Sequence, residues 1–344
     1  MMKNHAILTI DPPQLRLENV PRIGFDIHLS PFPGALYALL DYLGDHQEYD
    51  YLMGITGAAF RRLWSRDDGG NIDLSRFGEM PFRLAFNALG YTWQRLPAEK
   101  TIMLDAIKTS LAQGIPPISF GLLGPPEAGL VTGYAEDGAV LYGWSYFQPN
   151  RAGYYELCNW FETMDKSNGY GLLLLGEKTG NIPPPREVLL TVLEWAIDLA
   201  YTNPRPNLPQ HVSGLAAYDA WAEALACDAD YPAANAEQMA YRAMIYGDQC
   251  TMVEERRNAA RFLRRMKGAA PCEADLLEEA AMLYDNVATV VAQLWPWPVE
   301  SNAGAIRALA DPDQRRQLAA YICTAGTHEK QAVACVEKAW AALK

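Results

Sequence analysis

The feature that most limits what this chain can fold into is a change of pattern at Gly180-Asn181-Ile182-Pro183-Pro184-Pro185. Ahead of it, short alternating runs are interleaved with helical ones; beyond it, almost everything reads as helix. Three consecutive prolines lack N–H donors and hold the backbone extended, so a regular element does not run through them. The break predicts two domains, residues 1–180 and 181–344. A chain of 344 residues with 50% apolar content can bury a large core in each. The expected fold class is α+β for the first domain and all-α for the second.

In the second domain, helices are expected over 187–201, 214–226, 233–247, 251–267, 273–294 and 313–343, rich in alanine and divided by Pro or Gly. No fixed period recurs, so close helix packing is expected rather than a solenoid. The first domain is anchored by the stretch from Ser30 to Gly44. Ser30 sits where a capping hydroxyl belongs, and Pro33 fits a first-turn position because its missing N–H would lack an intrahelical acceptor anyway. Leu36, Leu39, Leu40 and Leu43 form one apolar stripe, and Gly44 suits a left-handed stop. Strands are expected over 6–10, 91–96, 118–122, 129–135, 139–147, 154–157 and 170–175. Segment 49–64 reads as a helix or turn broken by Gly54 and Gly57, 66–71 as a loop, and 80–89 and 101–112 as helices. Asp137-Gly138 is a hairpin signal.

Two of these segments, the helix at 30–44 and the following Met53-Gly54-Ile55-Thr56-Gly57-Ala58-Ala59-Phe60, resemble the N-terminal domain of the butirosin-biosynthesis acyltransferase family. Leu130-Val131-Thr132-Gly133-Tyr134 resembles that family's strand ending in Gly-Tyr. Segments 214–221 and 256–263 resemble its helical C-terminal half. The resemblance implies a papain-like, bacteriocin-processing-peptidase-like domain followed by a helical one. It also implies a cysteine nucleophile opening the helix and a histidine shortly before the Gly-Tyr strand. This chain departs at both points: the cysteine's position falls on Pro31, and the histidine's falls near Glu127 and Ala128. Its six cysteines, Cys158, Cys227, Cys250, Cys272, Cys323 and Cys335, all lie after both motifs. A Cys–His pair needs the base within reach of the sulfur, so the family's chemistry does not transfer.

The remaining candidates are weaker in kind. His28, just before the helix, suits a base or a hydrogen-bonded structural residue; Ser30 suits a nucleophile or a cap. Glu127 suits proton transfer if partly buried, or an ordinary turn carboxylate. Tyr134, Trp144, Tyr146 and Phe147 suit a pocket lining or a core. Asp248 and Arg256 would bind a polar ligand if they faced the domain cleft, whereas their neighbourhood of Glu254, Glu255 and Arg257 suits intrahelical ion pairs. Trp295-Pro296-Trp297-Pro298 suits interdomain packing. The cysteines, without metal spacing, suit buried free thiols. No nucleotide fingerprint or His-Glu-x-x-His is present, so no cofactor and no metal are expected.

The net charge of -12 repels phosphate backbones and anionic surfaces, so neither nucleic acid nor membrane is expected as a partner. The first ten residues turn polar too soon for a secretory signal, and a cytoplasmic location is expected. Together these readings point to a catalytically inactive relative of papain-like acyltransferases and peptidases that binds a small molecule or peptide. One alternative is a repurposed acyl- or amide-transfer enzyme built on Ser30, His28 and Glu127. The other is a protein-interaction scaffold whose helical half self-associates as a homo-oligomer.

Overall fold

The computed structural model describes residues 14–70, 74–167, 169–295 and 302–344. The expected strand at 6–10, Asn71 of the loop at 66–71, and residues 296–298 of the Trp-Pro turn lie outside them. In chain order the elements are β1 (Leu15–Arg16), α1 (Pro31–Tyr42), α2 (Tyr49–Ile55), β2 (Leu63–Trp64), α3 (Met80–Leu89), β3 (Tyr91–Pro97) and α4 (Lys100–Ala112). There follow β4 (Ile118–Phe120), β5 (Ala128–Ala135), β6 (Val140–Trp144), β7 (Tyr155–Cys158), α5 (Trp160–Thr163) and β8 (Tyr170–Lys178). The rest is α6 (Pro185–Tyr201), β9 (Val212–Ser213), α7 (Ala216–Ala226), α8 (Ala236–Asp248), α9 (Thr251–Met266), α10 (Ala274–Ala292), α11 (Asn302–Ala310) and α12 (Pro312–Leu343). The chain is thus mixed α+β with a helical C-terminal half. No helix among the described residues is long and apolar enough to cross a membrane.

The division into compact units is not the single cut at 180 expected from the prolines. One unit comprises residues 1–46 and 93–177; the other comprises 47–92 and 178–344. The chain does pass into the second unit for good near the proline run. Segment 47–92, however, groups with the helices, because its apolar groups pack there: α2 lies against α9, and Trp64 stacks on Trp221 with ring centroids 5.6 Å apart. Local sequence rules see the prolines; they do not see this long-range pairing.

The first unit is an antiparallel sheet of order β3-β8-β4-β5-β6-β7, with β1 pairing β5 through Leu15↔Tyr134 and Arg16↔Gly133. Central β5 pairs β4 at Phe120↔Ala128 and β6 at Leu130↔Trp144, with a register shift between Val131 and Gly133. α4 covers one apolar cluster of Met103, Ile107, Leu111, Val131, Leu141 and Trp160. α1 packs against β5. It buries Leu36, Leu39 and Leu40 together with Pro31, Phe32, Pro33, Gly34 and Ala35, so its first turn is enclosed rather than amphipathic. Its end is a left-handed stop: Gly44 has φ +74°, its N–H donates to Asp41 O (3.1 Å), and that of Asp45 donates to Leu40 O (2.9 Å). Between β5 and β6, Glu136, Asp137 and Gly138 all take positive φ, the conformation that Asp-Gly permits.

The second unit is a helical bundle in which α10 packs on α9 and α12, and α7 packs on α12. Its core gathers Trp221, Leu225, Tyr246, Val291, Leu309 and Ile322. The two-stranded β2–β9 ladder pairs Leu63 with Ser213 and Trp64 with Val212. Arg315, 2% exposed, donates to Leu225 O (3.0 Å) and Leu309 O (2.7 Å), so one side chain satisfies carbonyls at the ends of both α7 and α11.

Candidate functional site

The start of α1, where the resemblance implies a nucleophile, is built from prolines. Pro31 and Pro33 occupy the first and third helical positions, so two of the first three residues have no N–H to offer. This decides what Ser30 does. A cap hydroxyl accepts from the second or third helical N–H; the third is Pro33, and the Ser30 side chain makes no capping bond. Ser30 is 1% exposed, and its Oγ has no hydrogen-bond partner among the described residues. Ser30 is therefore neither the cap that its position suggested nor half of a hydroxyl–base pair, since neither His28 nor Glu127 bonds to it.

His28 packs at the side of the helix. Its ring meets that of Tyr37 edge to face, centroids 5.2 Å apart, and a Cβ on Gly34 would come within 3.4 Å of its own Cβ. Burial lowers its pKa to about 4, because charging the ring would cost solvation. The imidazole is neutral at pH 7 and only a weak base. Glu127, the last residue of the β4–β5 loop, is half-buried, and its backbone closes the loop: Gly121 N–H donates to Glu127 O (3.3 Å) and Glu127 N–H to Pro125 O (2.6 Å).

The aromatic residues around the helix are architectural. Trp144 Nε1 donates to Val20 O (3.0 Å), and its ring meets Tyr154 at 4.9 Å. Tyr154 in turn accepts from Val20 N–H through its hydroxyl (3.0 Å), which ties Val20 to the end of β6 and to the residue before β7. Tyr146 and Phe147 clamp Phe25 at centroid distances of 4.9 and 5.4 Å. The Tyr146 hydroxyl lies over the first turn of α1, where a Cβ on Gly34 would stand only 1.9 Å from it. Tyr134 joins the cluster under α4, with the Lys108 ammonium 5.7 Å from its ring centre. Trp144 and Tyr134 are thus held by core contacts rather than set around an opening.

Comparison with known proteins adds no assignment. No family model and no curated protein matches this chain.

Asp248 and Arg256 belong to the helical unit. Asp248, at the end of α8, is exposed, yet the protein around it withdraws enough water to raise its carboxyl pKa to about 6. Arg256 has no free edge for a ligand. It is 0% exposed and donates to Glu329 Oε2 (2.8 Å), Ala59 O (2.9 Å) and Arg61 O (3.0 Å). The buried charges of α9 pair along the helix and also beyond it: Arg256 stands 3.7 Å from Glu255, Arg61 pairs with Glu255 at 3.1 Å, and Glu329 also accepts from Tyr218 at 3.0 Å. Beside this network lies Arg62, 5% exposed, which sequence reasoning passed over. Its Nη1 donates to Gln249 Oε1 (2.7 Å) and its guanidinium sits 4.6 Å from the Trp221 ring centre, while Nε and Nη2 are buried without partners among the described residues. A signal for the network existed. Glu329 interrupts the apolar stripe Ile322, Ala325, Ala332 and Val336 at helical spacing, and a carboxylate in such a stripe needs a buried cation.

The thiols differ from expectation too. Of the six free cysteines only Cys335 is buried; Cys158, Cys272 and Cys323 are exposed.

Proposed function

We propose that this chain is a non-catalytic relative of papain-like acyltransferases and peptidases, retaining their helix-on-sheet core as a module that binds a small molecule or peptide. One observation carries the reading: at the nucleophile's end of α1, Ser30 is buried without a base, between residues that supply almost no backbone donors. Acyl transfer needs a nucleophile that reaches its substrate, a base within hydrogen-bond distance and N–H groups for the oxyanion. Here Ser30 is buried with no base bonded to it, and Pro31 and Pro33 remove two of the first three N–H groups. The packing of α1 against β5, with Glu127 just before that strand, supports descent from such a fold.

The test is turnover of a panel of aryl esters, acyl thioesters and peptide amides by the full chain, in parallel with Ser30→Ala. The expected result is no turnover above buffer for either protein. Turnover that disappears in Ser30→Ala would revive the repurposed enzyme; turnover that survives in it would place chemistry elsewhere and equally overturn a non-catalytic role.

A further inference from the structure

The helical unit contains a cavity of about 630 Å³ where the end of α6, the start of α7 and one face of α12 leave space between them. That volume lies within the range of small-molecule sites, about 300–1,000 Å³. The sequence of α12 explains the gap. The residues it turns toward the space are Cys323, Gly326, Thr327 and Lys330, spaced three and four apart and so on one face. None brings apolar bulk, and Gly326 is required by the approach of α7: a Cβ there would stand 2.9 Å from the Cβ of Tyr218.

Two opposite charges line the cavity, Asp219 from α7 and Lys330 from α12. Both are exposed, and neither forms an ion pair among the described residues. The floor includes Ser213, which is 1% exposed with its hydroxyl unpartnered among the described residues. The cap position of α7 is Leu215, which has no acceptor to offer, and the first-turn N–H groups of Ala217 and Tyr218 donate instead to Gly214 O (3.1 Å) and Leu215 O (3.3 Å). A carboxylate is favoured near the Lys330 ammonium, and an ammonium near Asp219. A monoanion would gain Lys330 but meet the repulsion of Asp219; a monocation would meet the reverse. Only a ligand with both charges satisfies both walls.

We propose that this cavity binds a small zwitterion, an amino acid or dipeptide, with its carboxylate at Lys330 and its ammonium at Asp219. The site belongs to the helical unit and does not depend on the reading of the α1 helix start. The test is calorimetric titration of the full chain with the free amino acids and a set of dipeptides, with monocarboxylates and alkylamines of matched length as controls. The expected result is saturable binding of at least one zwitterion, weakened roughly tenfold or more by Lys330→Met and by Asp219→Asn. Thr327→Trp, which fills the space from the α12 side, is expected to abolish it. All three substitutions are at exposed positions, so folding is checked directly by circular dichroism. No saturable binding by any zwitterion, binding that survives both charge variants, or a monocarboxylate binding as tightly as the zwitterion would each overturn the proposal.

Discussion

Replacing Arg62 by methionine should leave the helical unit as stable as before or more stable, although the arginine is buried and touches several residues. Desolvation dominates its electrostatics and, with the repulsion of Arg256 added, lowers its pKa to about 10 from the ordinary 12.5 despite the attraction of Glu255 and Glu329. That drop corresponds to a charged state roughly 3 kcal/mol less favourable than in water. Methionine keeps much of the apolar stem that lies against Trp221 and removes both unpartnered nitrogens. The opposing loss is Gln249 Oε1, which is left without its donor at a cost of about 1–3 kcal/mol. The balance runs from no change to about 2 kcal/mol of added stability. Arg256→Met provides the contrast: it strands the Glu329 carboxylate and should cost about 3–5 kcal/mol. Urea unfolding followed by tryptophan fluorescence measures both, and since both arginines lie in one unit, the two variants report on the same transition. A loss above about 2 kcal/mol for Arg62→Met would refute the reasoning, because it would mean that Nε and Nη2 are satisfied in solution.

Ser30→Ala should be neutral or stabilising by up to about 1 kcal/mol, since its hydroxyl is buried without a partner; a loss of about 1 kcal/mol, typical of a helix cap, would contradict the geometry. Gly34→Ala should destabilise by about 1–3 kcal/mol, because the new methyl meets the Tyr146 hydroxyl at 1.9 Å, and Tyr146→Phe in the same chain should recover most of the loss; additive effects in the thermal melt would show that the contact is not the cause. Between pH 6.5 and about 4 the unfolded His28 takes up a proton that the folded one refuses, so its contribution is present above pH 6.5 and lost as the pH falls through that window. After discounting for its partial exposure this amounts to about 1–2 kcal/mol, and His28→Gln should flatten that part of the stability profile. Asp248 has the opposite sign: with its pKa raised from 3.8 to about 6, its contribution is present below pH 3.8 and lost as the pH rises through 6, so Asp248→Asn should steepen the acid loss over the shared window.

What could be read in the sequence was whatever local rules decide. The span of α1, the stop at Gly44, the stop of α3 at Gly90, the positive φ of Asp137 and Gly138, and the helices after the prolines all follow from caps, glycine and periodicity over a few residues. The short α5 and the nine-residue α11 were missed, the first for want of length and the second because it follows the proline-broken run Trp295-Pro296-Trp297-Pro298 in sequence. The candidate site was misread where partners are distant. Arg256 does stand 3.7 Å from Glu255 on its own helix, but the carboxylate to which it donates, Glu329, lies 73 residues away. Ser30 looked like a cap because the rule weighs the capping residue; the absent donor three residues further on, at Pro33, decides the outcome.

The assignment of segment 47–92 to the helical unit has a consequence for synthesis. Arg62 leaves the ribosome 187 residues before Gln249, and Arg61 leaves it 194 residues before Glu255. At about 5–20 residues per second, α2 and β2 wait on the order of 10–40 s for the partners that neutralise and cover them. In that interval residues 93–177 emerge and complete, with β1 already made, the strands of their own sheet, so the first unit can form before segment 47–92 meets its partners. Expressing the chain as two pieces cut at residue 180 would separate Arg61 and Arg62 from α9, and each piece would carry part of a structure that the other completes.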